Sequence, residues 1–473
     1  MLNHTPSDIA AIQRRFKAIG TALMRVNLNN THSGNMSLRD PDDPGRFYVT
    51  ASGSQCGALT PGDIVSVRFS DMGWEGTARP SSETNTHRRV LRLPKVNACV
   101  HCHSVVSTLA SFDSPEQPVL LTRLAPEHDG DTRCFFQPVD FFGAGLLGTV
   151  PVGIYRNPVG SAEMEQRIPR HLGESPVTIV AGHGPFARGR SLAACLHILS
   201  ILENSAALRL ALQRRGIATA GIQAALRSKG VAAIFACRPR TSETPEPSGP
   251  PADDPALAAD FTRWLTYNFN FGLGAYGTGS MSRKLAADEM VFCPMSAAPE
   301  GLEAPLYRIP LRAPEPEAAD VRLHRLIYTH TPFTACMVTT SPWATAEGMA
   351  VLAETHGAAA LLGPWAGIDY TAGHYPMVVP IDAEAHYYDS RLPVADPACI
   401  AASPPGNPIP NLLSRHRGRC IVAGCGLIAA GPTGLDQAAY IVSAAERSAR
   451  FRQEVHLHSR LWGGPPPAAF ELE

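Results

Sequence analysis

The chain has 473 residues, 44% of them hydrophobic and 18% charged, and a formal net charge of −1. That length allows two or three domains, and in a near-neutral chain no basic stripe or acidic tail recommends nucleic acid or a membrane surface as partner. No uninterrupted apolar run reaches the roughly eighteen residues of a membrane span. The N-terminal MLNHTPSDIAAIQRRF has no basic segment followed by an apolar core, so a cytoplasmic protein is expected, its 11 cysteines reduced and mostly buried.

Residues 7–28 carry Ile9, Ile12, Phe16, Ile19, Leu23 and Val26 at helical spacing, which predicts an amphipathic helix. The polar stretch NNTHSGNMSLRD then turns into a strand, and Asn35 there either meets a ligand or closes the turn through its own backbone. Residues 47–50 and 63–69 are predicted strands joined by ASGSQCGALTPG, a small-residue loop whose amides can cradle an anion. Ser81 or Ser82 is the expected N-cap of a helix over 83–93. Glu83 in its first turn is either a functional carboxylate or a partner of the helix dipole.

The next apolar run places His101 and His103 two residues apart. On a strand, residues i and i+2 share a face, so both imidazoles can reach one metal ion, although such a pair in an apolar strand is also met as plain structure. Zinc with catalytic function typically takes three protein ligands and keeps a position open. Cys99 and Cys102 form a C-x-x-C, but alternation sends them to opposite faces, and both are expected to pack. Residues 134–157 carry two hydrophobic runs broken by glycine and proline, consistent with strands and a crossover. The third histidine comes in PVTIVAGHG, where His183 ends a buried run between two glycines, on a turn expected to precede a helix over 191–215.

A proline-rich polar segment then predicts a linker, dividing the chain into domains at 1–237 and 257–473 with a linker at 238–256. Beyond it the motifs recur in the same order about 240 residues later: TGSMS repeats SGNMS, His324-Arg325 repeats His87-Arg88, and IVAGCG repeats IVAGHG. At matched positions Asp320 stands for Glu83, Ala318 and Ala319 for Ser81 and Ser82, Val338 for His101, Thr340 for His103, and Cys425 for His183. Groups needed only for packing would persist in both copies, so their joint loss from the second fits a metal site in the first half alone.

SGNMS at 33–37, TASG at 50–53, PSSE at 80–83, HCH at 101–103 and GHG at 182–184 occur in an order and rough spacing that resembles the class II aldolase/adducin family, typified by fuculose-phosphate aldolase, over about residues 8–215. The resemblance implies two tandem three-layer α/β/α domains with a central mixed or antiparallel sheet. It implies zinc or another divalent ion on His101, His103 and His183, Glu83 as general acid/base, and a substrate phosphate on Asn35, Ser52, Gly53, Ser81 and Ser82. The implied activity is that of a lyase that cleaves or forms a carbon–carbon bond in a phosphorylated sugar or sugar acid through an enediolate stabilised by the metal. The same frame also serves decarboxylases, dehydratases and epimerases, and an adducin-like scaffold is the non-catalytic alternative. A homo-oligomer is implied, with no nucleic-acid or membrane partner. Two departures stand out: Ala51 replaces the family's proline, and no tyrosine lies between Tyr48 and Tyr155 to protonate a departing aldehyde. Tyr370 or His374 of the second half, forming one wall of the first half's pocket, is the expected replacement.

Overall fold

The computed structural model describes residues 6–112, 134–220, 222, 251–295, 304–312, 319–357, 360–361, 368–388, 391–400 and 406–464. Most of the expected linker, 238–250, lies outside these residues, as does 113–133, where the family's tyrosine would fall. The linker's last residues are built into structure: Pro251 bridges to Tyr307, and Asp254 caps the helix Pro255–Asn270 by accepting from the amides of Ala256 and Leu257 at 3.0 and 3.1 Å.

In the first half, the helix Pro6–Arg25 buries Ile12, Phe16, Ile19 and Leu23, the expected stripe, while Ile9 stays exposed. It stops at Arg25 because Asn27 takes a left-handed φ of 56°. Strands β1 (Asn35–Arg39), β2 (Arg46–Thr50), β3 (Ile64–Arg68), β4 (Trp74–Glu75), β5 (Ala98–His101), β6 (Cys134–Phe136), β7 (Val150–Gly153), β8 (Val177–Val180) and β9 (Gly184–Gly189) form one sheet in the order β4-β3-β2-β1-β5-β9-β8-β7-β6. It is antiparallel except where β7 runs parallel to β8. Phe47, Val49, Val65, Val67, Cys99, Val180 and Phe186 of the strands pack with Val90, Leu91, Met164, Ile168 and Leu172 of the helices Thr84–Leu91 and Ala162–Glu174. Ser161 begins the second of these by accepting from the Met164 amide at 3.2 Å.

The expected capping serine is corrected here. The helix begins at Thr84 with Glu83 itself at the N-cap position, and neither Ser81 nor Ser82 occupies that place. The Ser81 hydroxyl instead accepts from the Glu83 amide at 3.3 Å.

The second half repeats this plan. Strands β10 (Ser280–Lys284), β11 (Glu289–Pro294), β12 (Tyr307–Pro310), β13 (Ala335–Thr339), β14 (Met377–Val378), β15 (Leu392–Ala395), β16 (Arg419–Val422) and β17 (Gly426–Gly431) run in the order β12-β11-β10-β13-β17-β16-β15-β14. Register is repeated as well as order: Asn35 faces His101 across β1 and β5, and Ser280 faces Val338 across β10 and β13. The chain therefore carries two tandem α/β domains.

By its contacts the chain divides into one unit of Met1–Gln137 with Leu146–Ala206 and another of Pro138–Gly145 with Ala207–Glu473. The division falls inside the helix Leu192–Arg214. That helix is long and apolar enough to cross a membrane by length and composition, but 72% of its most apolar window is buried in protein, which makes it a core helix. Among the described residues no cysteine is joined in a disulfide, and most of the cysteines are buried.

Each unit buries a glutamate against the start of a helix. Glu203 accepts from the amides of Val106 and Ser107 at 3.0 and 2.8 Å, and Glu446 from those of Trp343 and Ala344 at 3.0 and 2.8 Å. Burial raises the Glu446 carboxyl from the ordinary 4.5 to about 8, against the pull of the two amides. A carboxyl with a raised folded pKa favours folding below its unfolded pKa, and that contribution is lost as pH rises through the window from 4.5 to about 8. Glu446→Gln should therefore gain stability relative to the parent protein by about 1.4 kcal/mol per pH unit across that window. Denaturant unfolding between pH 5 and 7 measures this, and a pH-independent difference would contradict it.

Candidate active site

His101 is the last residue of β5 and is 1% exposed. Its ring stacks on Phe186 of β9, centroids 4.0 Å apart and planes 11° apart, and its Nδ1 meets the Pro185 carbonyl at 3.0 Å. A carbonyl only accepts, so Nδ1 carries the proton and Nε2 presents a lone pair. His103 lies beyond the end of the strand, where Asn29 Oδ1 accepts from its amide at 3.2 Å. The shared face expected from strand alternation thus becomes convergence at a strand end.

His183 sits on the hairpin turn between β8 and β9, and that turn leads into a strand rather than the expected helix. The turn comes close because Gly184, at φ +159°, has no side chain; a Cβ there would lie 2.1 Å from the Cys102 carbonyl oxygen. Gly426 occupies the same place in the second unit, where a Cβ would lie 2.0 Å from the Thr339 oxygen. The frame is common to both units, and the three histidines belong to the first.

His101 Nε2 lies 3.1 Å from His103 Nε2 and 3.3 Å from His183 Nε2. One ligating nitrogen from each of the three falls within 4.8 Å of the others, and among the described residues this is the group of His, Cys, Asp or Glu side chains placed to share a metal ion. Tetrahedral coordination with nitrogens about 2.05 Å from a zinc ion sets donors about 3.3 Å apart, close to the spacing found. Burial holds all three imidazoles below the ordinary histidine value, His103 at about 4, with the neighbouring imidazoles adding to the effect on His101 and His103. They are neutral near pH 7, as metal ligands must be. The donor set fits a divalent ion such as zinc.

Glu83 is 3% exposed. Its Oε2 accepts from Asn35 Nδ2 at 2.7 Å and lies 3.8 Å from His101 Nε2. Burial raises its pKa, opposed by hydrogen bonds from Asn35 and the Gly160 amide. Because the Asn35 amide nitrogen donates to Glu83, its Oδ1 accepts from His87 Nε2, which leaves His87 Nδ1 to accept from the Ser37 hydroxyl at 2.7 Å. Burial is complete at His87 and pushes its imidazole down to about 3, so the ring stays uncharged.

Both ends of the Asn35 amide thus go to Glu83 and His87, which makes it a positioning group for the carboxylate. Sequence reading did not single out Ser37 or His87 for the site. The available signal was His87 four residues after Glu83, the spacing that stacks two side chains on one helix face. In the second unit His324 keeps the hydroxyl contacts, to Ser280 at 2.9 Å and Ser282 at 2.5 Å, while the positions of Asn35 and Glu83 hold Ser280 and Asp320. Asn35→Ala should retain metal and lower kcat by roughly 10–100-fold, the usual cost of removing such a support. Steady-state kinetics beside a metal assay checks it, and an unchanged kcat would show that Glu83 needs no anchor.

A bridge between Ala51 and Pro80 sets Ser52 and Gly53 beside Ser81 and Ser82. The Ser52 amide donates to the Arg79 carbonyl at 2.8 Å and the Ser81 amide to the Thr50 carbonyl at 3.1 Å, so these amides tie the two loops together. Ser52, Gly53 and Ser82 are exposed and Ser81 is buried. Tyr370 belongs to the second unit's own interior: it packs against that unit's core, and its hydroxyl accepts from the Asp396 amide at 2.9 Å. His374 is exposed, and its backbone pairs with that of Asp369.

Two α/β units, the first with three histidines converging beside a buried carboxylate, define the class of protein. The chain belongs to the class II aldolase and adducin N-terminal domain family, whose profile matches residues 14–210 and 273–452. It is similar to the methylthioribulose-1-phosphate dehydratase of Leptospira biflexa serovar Patoc, 25% identical over 174 residues, covering 34% of this chain and 78% of that protein. The 5-methylthioribulose-1-phosphate/5-deoxyribulose-1-phosphate aldolase of Rhodospirillum rubrum is 29% identical over 182 residues, 38% of this chain and 72% of that one. The 3-oxo-tetronate 4-phosphate decarboxylase of Escherichia coli K12 is 29% identical over 229 residues, 47% of this chain and all of that protein. Among solved structures, the l-fuculose-1-phosphate aldolase from Thermus thermophilus is 27% identical and covers 43% of this chain and 95% of that one, with a TM-score of 0.36.

Proposed function

We propose that the first unit is a metal-dependent lyase of the class II aldolase type, acting on a phosphorylated keto-sugar or sugar acid and breaking or forming a carbon–carbon bond. The observation that carries this reading is the buried Glu83 carboxylate 3.8 Å from His101 Nε2, at the edge of the three converging imidazoles. His101, His103 and His183 would hold a divalent ion, which would supply Lewis acidity to a substrate carbonyl and its enediolate. Asn35 anchors Glu83 Oε2 and leaves Oε1 to exchange a proton with the substrate carbon. The loop pair carrying Ser52, Gly53, Ser81 and Ser82 would take the phosphate, with the Ser52 and Ser81 amides tying the loops and the exposed Ser52 and Ser82 offering their hydroxyls.

A second reading, elimination or decarboxylation on the same frame, is favoured by the lack of a tyrosine between Tyr48 and Tyr155. Those reactions need no proton donor to a departing aldehyde. The test is to incubate the zinc-loaded full chain with 5-methylthioribulose 1-phosphate, fuculose 1-phosphate and a 3-oxo-tetronate 4-phosphate and follow products by NMR. Dihydroxyacetone phosphate released together with an aldehyde marks aldol cleavage; loss of water, or of carbon dioxide from the oxo-tetronate, which itself leaves dihydroxyacetone phosphate, marks the second reading. No turnover of any of the three would count against a lyase of this substrate range and favour the scaffold alternative.

A further inference from the structure

Where the helix Leu192–Arg214 ends, within the second unit, its last turn meets the helices Pro342–His356 and Leu435–Trp462. A cavity of about 490 Å³ opens there, with Arg214, Arg215, Arg452, Arg460, His456 and Ser459 on its wall together with Glu354. The size is that of a small-molecule site.

The cations are held in place from behind. Arg215, with a side chain 3% exposed, donates from Nη1 to both oxygens of the fully buried Glu347 at 3.1 Å and from Nη2 to Glu354 at 2.6 Å. Arg452 Nε lies 2.8 Å from Glu347, and its Nη1 donates to the Val379 carbonyl at 2.8 Å. Arg214 pairs at 3.4 Å with Glu454, which is half exposed, and Arg460 donates to the Arg214 carbonyl at 2.6 Å. Three of the four guanidinium groups thus pair with three carboxylates, Arg460 meets a backbone carbonyl, and Glu354 is the carboxylate on the cavity wall. The positive field is felt by His456, which burial first and then Arg215 and Arg452 push down to about 4.

A buried ion-pair network such as Arg215–Glu347–Arg452 does little for stability compared with apolar packing, but it pre-orients planar donors, the geometry guanidinium groups use to grip phosphate oxygens. We propose that this cavity is a binding site for a small phosphorylated metabolite, separate from the candidate active site of the first unit. Arg214 and Arg460 at the rim would contact the phosphate, Ser459 would donate its hydroxyl, and Arg215 and Arg452 would form the fixed floor.

The test uses the full chain and inorganic phosphate as probe, read by isothermal titration calorimetry and thermal shift. Phosphate should bind and raise the melting temperature. The double variant Arg214→Ala/Arg460→Ala should weaken this binding at least about tenfold, as loss of two charge-assisted contacts implies. Ser81→Ala/Ser82→Ala should leave that arginine-dependent binding in place, which separates this cavity from the candidate active site. Ser459→Asp, which places a carboxylate against the anion without removing an arginine, should likewise weaken phosphate binding and serves if the double variant does not fold. Absence of phosphate binding to the parent chain, or undiminished binding in Ser459→Asp and in a folded double variant, would overturn the proposal.

Discussion

Purified protein is expected to carry about one zinc or similar divalent ion per chain, and His101→Ala to lose it. His101 has the largest effect because it is the hub: its Nε2 is 3.1 and 3.3 Å from those of His103 and His183, and its Nδ1 is tied to the Pro185 carbonyl. The second unit accounts for one ion per chain rather than two, since its equivalent positions hold Val338, Thr340 and Cys425 on the same backbone frame. Metal analysis after dialysis decides the matter. Stoichiometric metal retained by a His101/His103/His183 triple alanine variant would place the ion elsewhere.

Glu83→Gln should keep the metal and lose turnover by roughly 10²–10⁴-fold, the range that a general acid/base contributes. Glutamine keeps an oxygen to accept from Asn35 Nδ2, so the support from Asn35 and His87 survives while the exchangeable proton is gone. Retained metal with lost turnover separates chemistry from binding. A variant that turns over the true substrate at the parent rate would remove Glu83 from the mechanism.

Much of the plan was legible in the residues. Period-2 and period-3.6 patterns marked β2, β3 and the long helices, because those periods are properties of the backbone itself. The repeat of the motifs in one order anticipated two like α/β domains, and the loss of three histidines from the second copy marked the first unit as the one where histidines could converge, as they do. Helix boundaries were less legible. The stop at Arg25 depends on a left-handed Asn27, and the start at Thr84 displaced both candidate capping serines, since competition among nearby caps is settled by tertiary contacts.

The tertiary structure alone decided which distant groups meet. His101 and His183 are joined because β5 pairs with β9, a pairing between strands far apart in sequence, and because Gly184 lets the hairpin turn approach the Cys102 carbonyl. The family resemblance implies that Asn35 meets a phosphate; which protein groups its amide meets, Glu83 and His87, is settled by the register of β1 on β5. The division inside the helix Leu192–Arg214 likewise has no mark in its sequence; just beyond its end, the Arg215 guanidinium is buried against Glu347 of another helix. Local periodicity determines which elements form and which faces they bury; the meeting of side chains from separate strands depends on sheet order and on close approaches of the backbone, which no short stretch of sequence contains.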